Sequence, residues 1–259
     1  MHYPSTVFWL ESSTRGVTDC KMKNIKDYPV ITARIIGRRH ILSGKASDDA
    51  AYLMKKDNYG FIGLADGQTN KIYSYIGGIS CLELTAGFLE ESGEPFLSDY
   101  AFVDEAQFAL ISRYRQHLHE RAMKERAWPE DYASTIVALS FRPKTGEYVI
   151  AHLGDGCILA VTHDNKVIFL SKPENGMIPG STWLTTSRTA MQHLRFANGN
   201  ISAYKRIVML TDGAECLCRG MNISSNAKEQ LIHSTPSEIA EWLNAASPED
   251  DASCIIMDV

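Results

Sequence analysis

Three apolar runs, far apart in the chain, each stop at an aspartate followed by a glycine. "GFIGLADG" ends at Asp66-Gly67, "YVIAHLGDG" at Asp155-Gly156 and "RIVMLTDG" at Asp212-Gly213. Runs this rich in apolar and β-branched residues predict buried strands. Taken singly, Asp-Gly is a hairpin signal. That reading is strong for Asp155, because strand patterns flank it on both sides. It is weaker for Asp66 and Asp212, which are followed by "QTNKIYSY" and "AECLCRG" rather than by a returning strand. An acid at the end of a central strand, beside a glycine that lets another backbone come close, is a common site geometry.

The intervening patterns predict the remaining elements. "YPVITARIIGRRH" (28–40) reads as a strand, and 50–67 as a hairpin turning at Lys56-Asp57-Asn58. From Tyr73 to Glu91 the apolar residues Ile76, Ile79, Leu82, Ala86 and Leu89 recur at helical steps, and Ser92-Gly93 with Pro95 ends that helix. A second long helix is expected from Asp99 to Ala127, with Phe102, Ala106, Ala109 and Leu110 on one face. Strand patterns return at 133–141, 147–154, 157–162 and 166–170, with turns that include Asp155-Gly156, and suggest an antiparallel meander. "TPSE" (235–238) is a capping box with Pro236 at the first helical position, and "SCIIMDV" closes on a strand. Residues 171–204 have no readable pattern. Strands grouped apart from helices indicate an α+β fold. No internal repeat or linker divides the sequence, so one domain over 1–259 is expected.

Composition narrows the function classes. The chain has 259 residues, 44% hydrophobic and 22% charged, with a formal charge of −5. That suits a soluble globular protein and gives no basic surface for nucleic acid. The densest basic cluster, "KMKNIK" (21–26), reads as a solvated face. No stretch is long enough to span a membrane and no secretory leader is visible, so a cytoplasmic location is expected. The six cysteines are widely spread, and Cys216-x-Cys218 is too tight for a zinc pair.

Two further acidic clusters, "SDDA" (47–50) and "PEDDAS" (248–253), each stand immediately before a strand. Each alone reads as a solvated loop. Carboxylates brought together from several strand ends repel one another, and a divalent cation relieves that. All-oxygen ligands favour magnesium or manganese over zinc.

The order of "SDDA", "GLADG", "ASTIVALSF", "AHLGDG", "VMLTDG" and "EDDAS" resembles the successive motifs of the metal-dependent protein phosphatases of the 2C type. The likeness runs from about Ile31 to the C-terminus. Gly37 and His40 before "DDA" are similar to a bacterial branch with a G-x-x-H motif. The resemblance implies a two-sheet antiparallel β-sandwich flanked by pairs of antiparallel helices, four layers in αββα order. It implies a protein serine/threonine phosphatase that hydrolyses phosphomonoesters by attack of a water activated between two Mn or Mg ions, with no covalent phosphoenzyme. Its partners would be a phosphorylated Ser/Thr protein and a cognate kinase, with no nucleic acid or membrane, and the chain would be a monomer. Residue by residue, Asp66 corresponds to the ligand shared by both metals, Gly67 offers its carbonyl, and Asp212 and Asp250 hold the other ion. Asp49 reaches metal through a water, and Asp155 corresponds to a ligand of a third cation. The alternative on the same fold is a catalytically weak or inactive regulatory module.

The chain departs from the pattern at three positions. The arginine that clamps phosphate is replaced by Gly44, with Lys45 beside it; Lys45 and His40, or the neighbouring Arg38 and Arg39, are the substitutes. Gln68 stands where a histidine would act as general acid, and an amide donates no useful proton. Cys216, with Glu215 adjacent, replaces an acid that would assist the third metal.

Overall fold

The computed structural model describes residues 6–9, 19–25, 28–92, 103–178, 180–214 and 216–259. Twelve strands lie within these residues: β1 (Thr6–Trp9), β2 (Asp19–Ile25), β3 (Tyr28–Ile35), β4 (Ala50–Lys56), β5 (Tyr59–Ala65), β6 (Ile136–Phe141), β7 (Glu147–Leu153), β8 (Cys157–Thr162), β9 (Val167–Ser171), β10 (Arg195–Asn200), β11 (Tyr204–Leu210) and β12 (Ala252–Asp258). They form two antiparallel six-stranded sheets, ordered β1-β4-β5-β6-β7-β10 and β2-β3-β12-β11-β8-β9. The helices are α1 (Arg38–Ser43), α2 (Ser74–Ser92), α3 (Val103–Glu125), α4 (Ala190–His193), α5 (Ser225–His233) and α6 (Pro236–Ala245).

The two-residue strand period builds three apolar layers. Ile207 and Met209 of β11 point between the sheets, where they meet Leu64, Val137, Leu139 and Ile255. Val208 and Leu210, one residue out of phase, point outward onto Leu231, Ile239 and Leu243 of α5 and α6. On the opposite outer face, Phe61 and Ala138 pack under Leu82 and Phe88 of α2 and Leu110, Tyr114 and Leu118 of α3. Central strands are therefore apolar on both faces, which is why their sequences read as unbroken runs. The order helices, sheet, sheet, helices is the αββα sandwich expected. The capping box also forms: the Thr235 hydroxyl accepts from Glu238 N and the Glu238 carboxylate from Thr235 N, so α6 starts at Pro236.

Two readings need correction, and two stretches without a reading take shape. The strand expected over 28–40 ends at Ile35, and Arg38–Ser43 is the short helix α1. The meander breaks at Asp155-Gly156, because β7 belongs to one sheet and β8 to the other. Those two residues make a crossing between sheets and not a hairpin turn. Within 171–204 the chain forms α4 and β10, and α5 follows later. Ahead of the region of resemblance, β1 and β2 add an edge strand to each sheet. The helix stop at Gly93 and Pro95, the helix start at Asp99–Phe102, and Glu215 lie outside the described residues.

Candidate metal centre

Both sheets deliver an acid to the same end of the sandwich. Asp66 is the first residue beyond β5. Its N–H donates to Thr135 Oγ1 at 2.9 Å and its carbonyl accepts from Thr135 N at 2.8 Å, which pins it to the start of β6. Asp212 follows β11, whose extension is held by Thr211 N donating to Ser253 O at 3.1 Å. Asp155 stands at the crossing between them. One carboxylate oxygen from each of Asp66, Asp155 and Asp212 lies within 4.8 Å of the others.

The glycines permit this convergence. A Cβ on Gly213 would stand 1.9 Å from the Asp251 carbonyl oxygen, and one on Gly67 2.7 Å from that of Asp48. The Asp66-Gly67 and Asp212-Gly213 pairs therefore pack directly on the backbone of a second acidic motif, while Gly156 packs against Val137 and the Leu210 carbonyl. Gly67 also bridges to Ser134, using Asp66 O and Gln68 N, so its own carbonyl takes no part in that bridge.

Crowded carboxylates resist ionisation, most where they are enclosed; Asp66 and Asp155 are half-buried and Asp212 is exposed. Desolvation, followed by the charges of Asp49, Asp212, Asp155 and Asp250, pushes Asp66 well above the usual carboxylate range. Asp155 is raised to about 7, by burial first and then by Asp212. Asp49 is fully buried and raised to about 8 by desolvation and by Asp251, against a lowering hydrogen bond from Thr211. The Thr211 hydroxyl donates to Asp49 Oδ2 at 2.9 Å, while Asp49 Oδ1 and Asp155 Oδ1 are buried without a hydrogen-bond partner. Orphaned carboxylate oxygens beside a cluster of like charges fit a hard divalent cation, which supplies the missing positive charge and accepts oxygen ligands only.

Asp250 stands at the rim. Its Oδ1 accepts from Asp251 N at 3.0 Å and its Oδ2 is 4.0 Å from Arg39 Nη1. It is outside the tight triad, yet its charge reaches Asp66. Asp251 is a residue the sequence reading did not single out. Its carboxylate accepts from Gly37 N at 2.8 Å, Asp48 N at 2.7 Å and His40 Nδ1 at 2.8 Å. The second aspartate of "EDD" and the histidine of the G-x-x-H motif were the visible signals for this hub.

His40 is corrected by this arrangement. Read from the sequence as a phosphate contact, it is buried, with Nδ1 on Asp251 and Nε2 3.5 Å from Asp48 Oδ2. It braces two acidic motifs against each other and is turned away from solvent. Lys45 is exposed and lines a groove of about 390 Å³ with Asp48, Lys71, Ile72 and Tyr75. The cleft beside Asp212 and Asp250, about 560 Å³, is walled instead by Arg38, Arg39, Gly213, Cys216 and Glu249. Gly44 sits at φ 66° as the left-handed C-cap of α1.

The sequence profile described as Protein phosphatase 2C matches residues 36–254. The chain belongs to the protein phosphatase 2C family. The match spans every acidic motif of the cluster, from "SDDA" to "EDDAS". No curated protein sequence matches the chain. Solved structures share its fold at low identity. RsbX in complex with magnesium is 11% identical with a TM-score of 0.61, covering 92% of this chain and 98% of that one. The serine/threonine phosphatase Stp1 from Staphylococcus aureus is 12% identical, TM-score 0.62, covering 92% and 97%. Serine-threonine phosphatase 2C from Toxoplasma gondii is 14% identical, TM-score 0.63, covering 98% and 99%. Members of the 2C family use divalent metals, and the acid cluster of this 2C chain gathers oxygen ligands suited to one. Among the described residues no helix is long and apolar enough to cross a membrane.

Proposed function

We propose that this chain is a metal-dependent protein serine/threonine phosphatase acting by direct attack of water on the phosphomonoester. The observation that carries the proposal is the meeting of Asp66, Asp155 and Asp212 from three strand ends within 4.8 Å. Asp66 and the Gly67 carbonyl, with Asp212 and Asp250, would hold two Mn or Mg ions, and Asp155 a third. Asp49 would reach the metal through a water, using the oxygen that lacks a partner. When bound, the cations supply an acidified water and draw charge off the phosphoryl oxygens.

The chain's own residues do the rest. Thr135 and Thr211 fix Asp66 and Asp49 through the hydrogen bonds described above, so the ligands are set before substrate arrives. Asp251 and His40 hold the segment carrying Asp48 and Asp49 against the turn carrying Asp250. Gln68 offers no proton, so the leaving alcohol takes its proton from solvent. No cysteine or serine is assigned as a nucleophile.

Hydrolysis of a serine/threonine phosphopeptide and of p-nitrophenyl phosphate is expected with manganese and is lost in EDTA. Asp66→Ala and Asp212→Ala are expected to lower turnover by roughly 100-fold or more while the circular dichroism spectrum is kept. Either variant retaining the wild-type rate would contradict the ligand assignment. An inert wild-type protein with manganese bound would favour a regulatory module on the same fold.

A further inference from the structure

We propose that Arg39 is the phosphoryl clamp of this site, delivered from α1 and not from the Gly44-Lys45 position after that helix. The proposal rests on the phosphatase reading, in that it takes a phosphoryl group to bind beside Asp212 and Asp250.

A phosphoryl dianion presented to a carboxylate cluster meets negative charge on every side not covered by cations. Its outer oxygens need donors, and the planar fork of a guanidinium matches two of them at once. On the wall of the cleft beside Asp212 and Asp250 the cationic side chains are Arg38 and Arg39. Arg38 already pairs at the surface with Glu249, Nη1 to Oε1 at 2.8 Å. Arg39 Nη1 stands 4.0 Å from Asp250 Oδ2, beyond hydrogen-bond length, with its side chain 71% exposed. It therefore reaches the rim of the site with donors still to spend. Lys45 lines a different groove, on the Asp48 side.

The base of that arm is fixed, and its head has only the long Asp250 contact. Arg38 N and Arg39 N donate to Pro248 O and Glu249 O at 3.0 and 3.3 Å, immediately before Asp250. His40, the single buried residue of α1, is tied to Asp251 immediately after it. A Cβ on Gly37 would stand 2.3 Å from the Asp250 carbonyl carbon, so the start of α1 lies directly on the ligand-bearing turn. The helix that carries Arg39 and the segment that carries Asp250 thus move as one piece.

The test measures the affinity of the manganese-loaded protein for inorganic phosphate by titration calorimetry, and KM and kcat for p-nitrophenyl phosphate alongside. Arg39→Ala is expected to weaken phosphate binding and raise KM about 10-fold or more, with Arg39→Lys between it and wild type. Manganese affinity and melting temperature should be kept, since the side chain is exposed. Unchanged phosphate affinity in Arg39→Ala overturns the proposal. So does the opposite pattern, in which Lys45→Ala loses affinity and Arg39→Ala keeps it. Absence of phosphate binding in the manganese-loaded wild type overturns it as well. Phosphate binding that depends on Arg39 in a protein without turnover would leave the clamp standing and remove the phosphatase reading, so the two can fail separately.

Discussion

Asp49→Asn should stabilise the metal-free protein at alkaline pH while weakening its hold on manganese. Asp49 is fully buried, and its carboxyl is raised from 3.8 to about 8 by desolvation and then by Asp251. A raised carboxyl pKa means that the folded state holds a proton the unfolded chain has released, so stability falls as pH climbs from about 4 to about 8. At pH 4.5 the folded protein keeps the proton and the penalty is only about 1 kcal/mol. At pH 8 the ceiling is about 5 kcal/mol, from 1.36 kcal/mol for each pH unit between the two values. Relaxation and water entry reduce that, and a net gain of about 2 kcal/mol is expected for the amide. In a chain of this size that corresponds to a rise of about 4–8 °C in melting temperature. Asparagine keeps an acceptor for the Thr211 hydroxyl that now donates to Asp49 Oδ2. The assay is thermal melting in EDTA at pH 4.5 and pH 8, followed by manganese titration. The gain should be confined to the higher pH, and manganese affinity should drop about 10-fold or more. A variant no more stable than wild type at pH 8, or shifted equally at both pH values, refutes the idea that repulsion among these acids is stored in the fold.

Gly213→Ala tests the convergence of backbones. Its new Cβ would have to retreat about 1.1 Å from the Asp251 carbonyl to reach 3.0 Å, so a loss of about 1–3 kcal/mol and a large drop in manganese affinity are expected, read by melting and calorimetry. Arg206→Ala should destabilise without touching the site. This largely buried guanidinium pairs with Asp258 at 2.6 Å and donates to Leu231 O and Ser234 O, and its loss is expected to cost about 3 kcal/mol in urea unfolding with manganese affinity unchanged.

The parts of the fold that were legible in sequence are those where one local pattern admits one structure. The apolar run before Asp212 is a strand buried on both faces, and "TPSE" caps a helix whatever surrounds it. Asp155-Gly156 was misread because the same two letters serve a hairpin and a crossing between sheets. Which of the two occurs depends on where the next strand finds its partners, and that is a tertiary decision. The helix α1 escaped notice because six residues with a single buried side chain carry no periodicity. Strand β2 lies at a sheet edge and carries Asp19, Lys21 and Lys23, so it lacks the apolar signature of an interior strand. The acids that form the triad could be named because each ends an apolar run. The role of Asp251 could not, since its meaning lies in three donors from segments roughly 200 residues earlier.

The seam at Asp155 has a mechanical consequence. Asp66 hangs from one sheet and Asp212 from the other, and the apolar layer of Leu64, Val137, Ile207 and Met209 holds the two sheets apart. The spacing of charge at the open end is therefore set by how thick that filling is, and close-packed interiors transmit such changes without absorbing them. A change of side-chain volume in that greasy middle retunes the geometry of the chemistry at its edge.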